Sequence, residues 1–100
     1  MAVEVKALLD DIIKLVLSHK NAEKVVLFGS RARGDESPTS DIDIAIIDPF
    51  WTREDINIVR GQLNEEIPTA LKIDLVSYDL LEKTGLKERI LKEGVLIRGQ

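Results

Sequence analysis

The sequence predicts a small α/β (α+β) fold in which a mixed β-sheet of three to four strands packs against helices. Three observations favour this fold class. Two long segments with helical apolar periodicity alternate with short β-rich segments. The β-rich segments are bounded by glycine, proline or aspartate. No repeat, low-complexity tract or linker divides the 100 residues, so we expect one domain over residues 1–100.

Nine elements are predicted in chain order from periodicity and breaker residues. They are a helix over about 3–18, a strand that starts at 24 and stops at a glycine, a helical turn over 30–34, a strand over 41–47, a helix over 53–67, a strand over 70–76, short helices over 80–84 and 86–93, and an edge strand over 95–97.

The two long helices are predicted from their apolar stripes. From Val5 to Val16, apolar residues recur at i, i+3, i+4 and i+7, and charged residues fall outside that stripe. In the second helix, Thr52 can act as the N-cap and Ile56 begins the buried face. Asp79 is expected to cap the short helix that follows the third strand.

Connection lengths predict how the strands pair. About ten residues, with Pro38 among them, join the first strand to the second. That is too few for a crossover helix, so we expect these two strands to be antiparallel. A full helix joins the second strand to the third, which predicts a right-handed βαβ unit with parallel strands. The sheet is therefore expected to be mixed.

Composition limits the chemistry that the chain can carry. Cysteine is absent and there is one histidine, which excludes zinc–thiolate sites, cysteine nucleophiles and a histidine-rich cage within one chain. A net charge of -4 argues against direct nucleic-acid binding. No apolar run is long enough to cross a bilayer and no leader opens the chain, so we expect a cytoplasmic protein without membrane contact.

Two acidic residues interrupt the otherwise apolar second strand. Because side chains alternate faces along a strand, Asp41 and Asp43 are expected to point the same way, about 6–7 Å apart. Their repulsion is about 2–3 kcal/mol at an effective dielectric of about 20. A divalent cation would turn repulsion into attraction, and carboxylate oxygens suit Mg²⁺. The alternative is that both carboxylates are simply hydrated at a strand end.

A third acid favours the metal hypothesis. Asp74 lies in the middle of the apolar third strand, where an unpaired charge is costly. If the second and third strands are neighbours, Asp74 can share a face with Asp41 and Asp43. Three converging carboxylates indicate a two-metal site for in-line phosphoryl or nucleotidyl transfer. The alternative is that Asp74 pairs with Lys72 or with a helix N-terminus.

A glycine–serine turn follows the first strand. Gly29 allows close approach to the backbone, and Ser30 with the following N–H groups can hold phosphate oxygens. Arg31 and Arg33 are near enough to add positive charge, although a simple tight turn explains the motif equally well. A P-loop is excluded, because Asp35 stands where that loop requires lysine.

Together these motifs resemble a known family. Phe28-Gly29-Ser30, followed after ten residues by Asp41-Ile42-Asp43-Ile44, resembles the defining pattern of the DNA polymerase beta-like nucleotidyltransferase superfamily. The GSRARGD segment and Asp74 are similar to its shortest branch, the minimal nucleotidyltransferases (MNT). These prokaryotic proteins are commonly encoded beside a HEPN-domain partner. The resemblance covers about residues 5–97 and implies the nucleotidyltransferase fold.

The resemblance implies specific roles. It assigns catalysis and metal binding to Asp41, Asp43 and Asp74. It assigns nucleotide binding to Gly29, Ser30, Arg33 and Ser40. The first two acids would hold two Mg²⁺ ions that bridge the triphosphate of ATP, and the third would complete the site and help to deprotonate the acceptor hydroxyl. The glycine and the first serine would bind the β- and γ-phosphates, and the second serine would support the aspartate strand.

The resemblance also implies a partner. MNT proteins act as antitoxins of HEPN ribonuclease toxins, and members adenylylate a tyrosine of the toxin. Larger nucleotidyltransferases bind the acceptor with a second domain, so here a partner chain is expected to complete the cleft, in a homo- or hetero-oligomer. Two alternatives stay open. One is a catalytically silent module that neutralises its partner by contact, and the other is transfer to a small molecule.

Overall fold

The computed structural model describes residues 3–99, which form four helices and four strands. In chain order they are α1 (Val3–His19), β1 (Lys24–Phe28), α2 (Ser30–Arg33), β2 (Ile42–Ile47), α3 (Arg53–Glu66), β3 (Ile73–Ser77), α4 (Thr84–Glu93) and β4 (Val95–Arg98). None of the described helices is long and apolar enough to cross a membrane.

The four strands form one mixed sheet in the order β3-β2-β1-β4. β1 is antiparallel to both β2 and β4, and β2 is parallel to β3. The predicted strand directions are thereby confirmed, and so are the mixed sheet and the edge strand near the end of the chain. Because β2 and β3 run in the same direction, their N-terminal ends lie together at one end of the sheet.

The sheet buries two apolar faces of different size. The larger core contains alternate residues of the strands, such as Leu27 and Ile44, packed with α1 and α3. The smaller core contains the intervening residues, such as Phe28 and Ala45, packed with Ile90 of α4. This alternation follows from the two-residue period of a strand.

Side chains of α3 bind the open edge of β3. Asn64 accepts a hydrogen bond from the N–H of Ile73 (2.9 Å) and donates one to its carbonyl oxygen (2.7 Å). The guanidinium of Arg60 donates to the carbonyl oxygen of Leu75 through Nε (3.2 Å) and Nη2 (2.6 Å). These contacts satisfy edge groups that would otherwise invite another strand, and they fix β3 against α3.

Asp55 joins the start of α3 to the end of α1. Its carboxylate accepts the N–H of Thr52 in a capping box and also contacts His19 (3.0 Å) and Lys20 (2.9 Å). These hydrogen bonds hold the pKa of Asp55 well below its usual range, and the one from the backbone N–H of Thr52 has the largest effect.

Several predicted elements differ from the structure. The third strand begins at Ile73 rather than at residue 70, because the hydroxyl of Thr69 accepts the N–H of Leu71 and holds that segment in a turn. No helix forms over 80–84, because Asp79 does not cap one: its carboxylate accepts the N–H of Asp48 instead (2.9 Å). The last helix consequently begins at residue 84 rather than 86.

Candidate active site

Two carboxylates lie side by side on the strands β2 and β3. Asp43 and Asp74 are register partners in this parallel pair, so their side chains project from the same face of the sheet. Both are partly exposed, whereas their neighbours Ile42, Ile73 and Leu75 on the opposite face are fully buried. The register therefore brings together two of the three acids that the sequence singled out.

Asp41 lies differently from the sequence prediction. It is exposed and precedes β2, which begins at Ile42, so the sheet ladder does not hold it. It nevertheless lies close enough to Asp43 for its charge to disfavour ionisation there. The three acids thus form one electrostatic group, in which only Asp43 and Asp74 are fixed by strand pairing.

The environment of Asp43 opposes its negative charge. Partial burial is the largest cause of a raised pKa for this carboxyl, followed by repulsion from Asp74 and then from Asp41. Lys72 and Arg33 act in the opposite direction but do not outweigh these effects. Asp43 is therefore a group that would gain from a nearby cation.

Gly29 brings the main chain directly against the carboxylate of Asp43. It follows β1 and has a φ of 77° and a ψ of -159°, a conformation that favours glycine. A Cβ atom at this position would overlap Oδ2 of Asp43 and lie 3.2 Å from its Cγ. Ser30, half-buried, begins α2 immediately afterwards. The predicted glycine–serine turn thus adjoins one of the acids.

Arg33 is exposed and already paired. Its guanidinium contacts Asp35 (3.2 Å) and Glu93 (3.4 Å), and these contacts, Asp35 foremost, raise its pKa. Since its charge also acts on Asp43, it lies near the acidic group. A nucleotide at this site would have to compete with two carboxylates for this side chain.

Ser40 organises the loop before the acids. Its hydroxyl accepts the N–H of Ser37 (2.9 Å), and its carbonyl oxygen accepts two hydrogen bonds from Arg31, at 3.1 and 2.9 Å. The sequence had indicated only a general positive charge for Arg31, which is in fact buried, with 5% exposure. The position of Arg31 in the sequence, between Ser30 and Ala32, did not indicate that its side chain is buried.

Asp74 has a partner that the sequence did not suggest. It lies 3.7 Å from Nε of Arg60 on α3, rather than beside Lys72 or a helix N-terminus as the alternative reading had it. Arg60 is also bonded to the edge of β3, so one arginine both fixes the strand and contacts its acid.

The donor set fits Mg²⁺ bound together with a phosphate ligand. Within residues 3–99, no three acidic or histidine side chains converge closely enough to form a complete metal cage. Mg²⁺ does not require one, because it usually keeps several waters and binds one or two carboxylates together with substrate phosphates. The neighbouring carboxylates of Asp43 and Asp74 meet that requirement.

Similarity to known proteins extends over most of the chain. The family described as Polymerase beta, Nucleotidyltransferase matches residues 10–100, a range that includes every residue of the candidate site. A Methanocaldococcus jannaschii protein that is provisionally named a protein adenylyltransferase is 32% identical over 84 residues. That alignment covers 84% of this chain and 87% of the relative.

Solved structures share the fold. A toxin–antitoxin complex with AMP-PNP contains a chain that is 25% identical, with a TM-score of 0.78, covering 91% of this chain and 73% of that one. A structure provisionally described as a minimal nucleotidyltransferase is 27% identical, with a TM-score of 0.71 and coverage of 95% of both chains.

Replacement of Gly29 tests its contact with Asp43. Gly29→Ala is expected to lower the free energy of unfolding by about 1–3 kcal/mol because of the backbone conformation alone. The total loss should be larger than this, because the new methyl group also overlaps the carboxylate of Asp43. In an Asp43→Ala background the additional loss should disappear. Urea unfolding of the wild type, the two single variants and the double variant measures this difference.

Gly34 provides the control for this cycle. It also has a positive φ (84°), but nothing lies within 4 Å of a Cβ placed there, so Gly34→Ala and Asp43→Ala should be additive. Equal costs of Gly29→Ala with and without the carboxylate would show that the overlap is unimportant.

Removal of the Asp43 charge is expected to stabilise the metal-free protein. Because the folded-state pKa of Asp43 is raised, its ionisation weakens the fold as pH rises. Asp43→Asn should therefore raise Tm at pH 7 to 8. The difference should vanish towards about pH 3, roughly one unit below the ordinary aspartate pKa of about 3.9, where the carboxyl is largely protonated in both folded and unfolded chains.

Thermal melts over this pH range should be compared with those of Asp11→Asn, which removes an exposed charge from α1. This control is expected to change stability by less than about 0.5 kcal/mol. A loss of stability in Asp43→Asn at neutral pH would contradict the proposed repulsion.

Proposed function

The chain belongs to the polymerase beta nucleotidyltransferase family, and from this premise we propose that it is a Mg²⁺-dependent enzyme that transfers AMP from ATP to a hydroxyl group of a partner protein. The observation that carries this proposal is the juxtaposition of Asp43 with both Asp74 and the main chain of Gly29. An acidic pair beside a glycine turn suits a metal–triphosphate ligand.

Asp41, Asp43 and Asp74 would hold the Mg²⁺ ions, which when bound neutralise the triphosphate and the charge that develops on the leaving group. Gly29 and Ser30 would bind the β- and γ-phosphates, through the N–H groups of the turn and the hydroxyl of Ser30. The reaction is then mainly a matter of positioning and charge stabilisation.

Bond changes in this transfer are simple. The oxygen of the acceptor hydroxyl attacks the α-phosphorus, the bond from that phosphorus to the bridging oxygen breaks, and pyrophosphate leaves. The acceptor proton passes to a base, for which Asp74 is placed at the edge of the acidic group. Arg60 lies 3.7 Å from this carboxylate and would help to orient it.

Arg33 and Ser40 have supporting roles in this proposal. Arg33 would exchange its exposed contacts with Asp35 and Glu93 for the phosphates of the nucleotide. Ser40 would support the segment that leads to the acids, as its hydrogen bonds with Ser37 do in the free protein.

The proposed acceptor is a HEPN-domain toxin, which makes this chain its antitoxin. Two similarities support this choice: the 32% identical relative is provisionally named a protein adenylyltransferase, and a chain of similar fold occurs in a toxin–antitoxin complex with AMP-PNP. The MNT-like motifs of this sequence point to the same class of partner. Adenylylation of the toxin would block its ribonuclease activity.

Labelled ATP tests this proposal. The protein is incubated with a HEPN-domain protein encoded beside it, Mg²⁺ and ATP labelled at either the α- or the γ-phosphate. We expect the α-label, and not the γ-label, on the partner, because pyrophosphate leaves. Asp43→Asn and Asp74→Asn should reduce transfer by roughly 10²-fold or more, whereas Asp11→Asn should not.

Two outcomes would contradict the proposal. If no α-label appears on the partner at any Mg²⁺ concentration, the chain does not adenylylate that partner. Full neutralisation of the toxin by Asp43→Asn, in the absence of transfer, would show that the chain acts by contact and not by catalysis.

A further inference from the structure

A buried arginine connects the two segments of chain that form the candidate site. Arg31 lies on the four-residue helix α2, yet its side chain is buried. Its Nε and Nη2 atoms both donate to the carbonyl oxygen of Ser40, at 3.1 and 2.9 Å. Ser40 directly precedes Asp41, so this contact closes the loop between the glycine turn and the first acid.

Burial of this guanidinium is costly for the fold. No carboxylate lies within 4.0 Å of Arg31 among the described residues, so its charge is compensated by hydrogen bonds to a neutral carbonyl. A buried charge without a counter-charge weakens a fold unless hydrogen bonds compensate for its lost hydration. The contact with Ser40 is therefore a feature to be explained by function.

Asp41 is the acid that needs such a contact. Strand pairing fixes Asp43 and Asp74 in register, but Asp41 lies outside β2 and is exposed. Ser40, immediately before it, is held on one side by Arg31 and on the other by the Ser37–Ser40 turn. The guanidinium fork therefore holds the chain just before Asp41, while the N–H of Ile42, just after it, donates to the carbonyl oxygen of Lys72 (2.9 Å).

We propose that Arg31 is a positioning residue for nucleotidyl transfer, which sets Asp41 relative to the Gly29–Ser30 turn through the carbonyl of Ser40. This inference rests on the proposed function. α2 starts at the turn that would bind the phosphates and, through Arg31, reaches the residue that precedes the first metal-binding acid. The short helix α2 thereby sets the distance between the Gly29–Ser30 turn and Asp41.

Binding of Mg–ATP and AMP transfer by two Arg31 variants test this role. Arg31→Met keeps the volume but loses both donors, and Arg31→Lys keeps the charge with a single donor group. We expect Arg31→Met to lower kcat/KM by roughly 10- to 100-fold and to raise the Mg²⁺ concentration needed for half-maximal activity, with partial recovery in Arg31→Lys.

Val16→Ala is the control for a loss of stability alone. Val16 is fully buried in α1, within the core on the other side of the sheet from the acids. This variant should lower Tm without changing the Mg²⁺ requirement. If Arg31→Met changes only Tm, as Val16→Ala does, the positioning role is wrong.

A double-mutant cycle with Asp41→Ala identifies the route of the effect. If Arg31 acts through Asp41, Arg31→Met should weaken Mg–ATP binding in the wild-type background but not further in Asp41→Ala. Equal weakening in both backgrounds would overturn the inference while leaving the proposed function intact. A wild-type protein that neither binds Mg–ATP nor transfers AMP would overturn both.

Discussion

The candidate site depends on one electrostatic conflict, the negative charge of a partly buried Asp43 beside that of Asp74. Parallel pairing of β2 with β3 places these acids in register on one face, and partial burial of Asp43 strengthens the effect of the neighbouring charges. The strand register fixes this juxtaposition, because a shift by one residue would move the apolar residues out of the core. A cation bound beside these two carboxylates would relieve the repulsion.

The rest of the structure keeps this conflict in place. Side chains of α3 hold the open edge of β3, and Arg60 among them reaches the carboxylate of Asp74. Gly29 leaves room for the carboxylate of Asp43 where any other residue would overlap it. On the far side of the glycine turn, Arg31 holds Ser40 and so the approach to β2. The acids are thus supported by three separate parts of the fold.

Much of this arrangement could be predicted from sequence because it follows from local patterns. The alternation of isoleucines with Asp43 predicts a strand with one polar face, and the helical connection predicts a parallel neighbour that carries Asp74. Contacts between distant segments left no such pattern. The Arg31–Ser40 contact depends on the path of a loop, and the Arg60–Asp74 contact depends on the rotation of α3. Asp79 accepts a hydrogen bond from the N–H of Asp48 instead of capping a helix.

The most direct test of the central repulsion is a ¹³C NMR titration of the Asp43 carboxyl in the metal-free protein. The pKa of Asp43 should lie above the ordinary aspartate value of about 3.9, and it should fall towards that value when Asp74→Asn removes the neighbouring charge. A pKa at or below the ordinary value in the unmodified protein, or one that Asp74→Asn leaves unchanged, would contradict the claim that these two acids form the strained centre of the site.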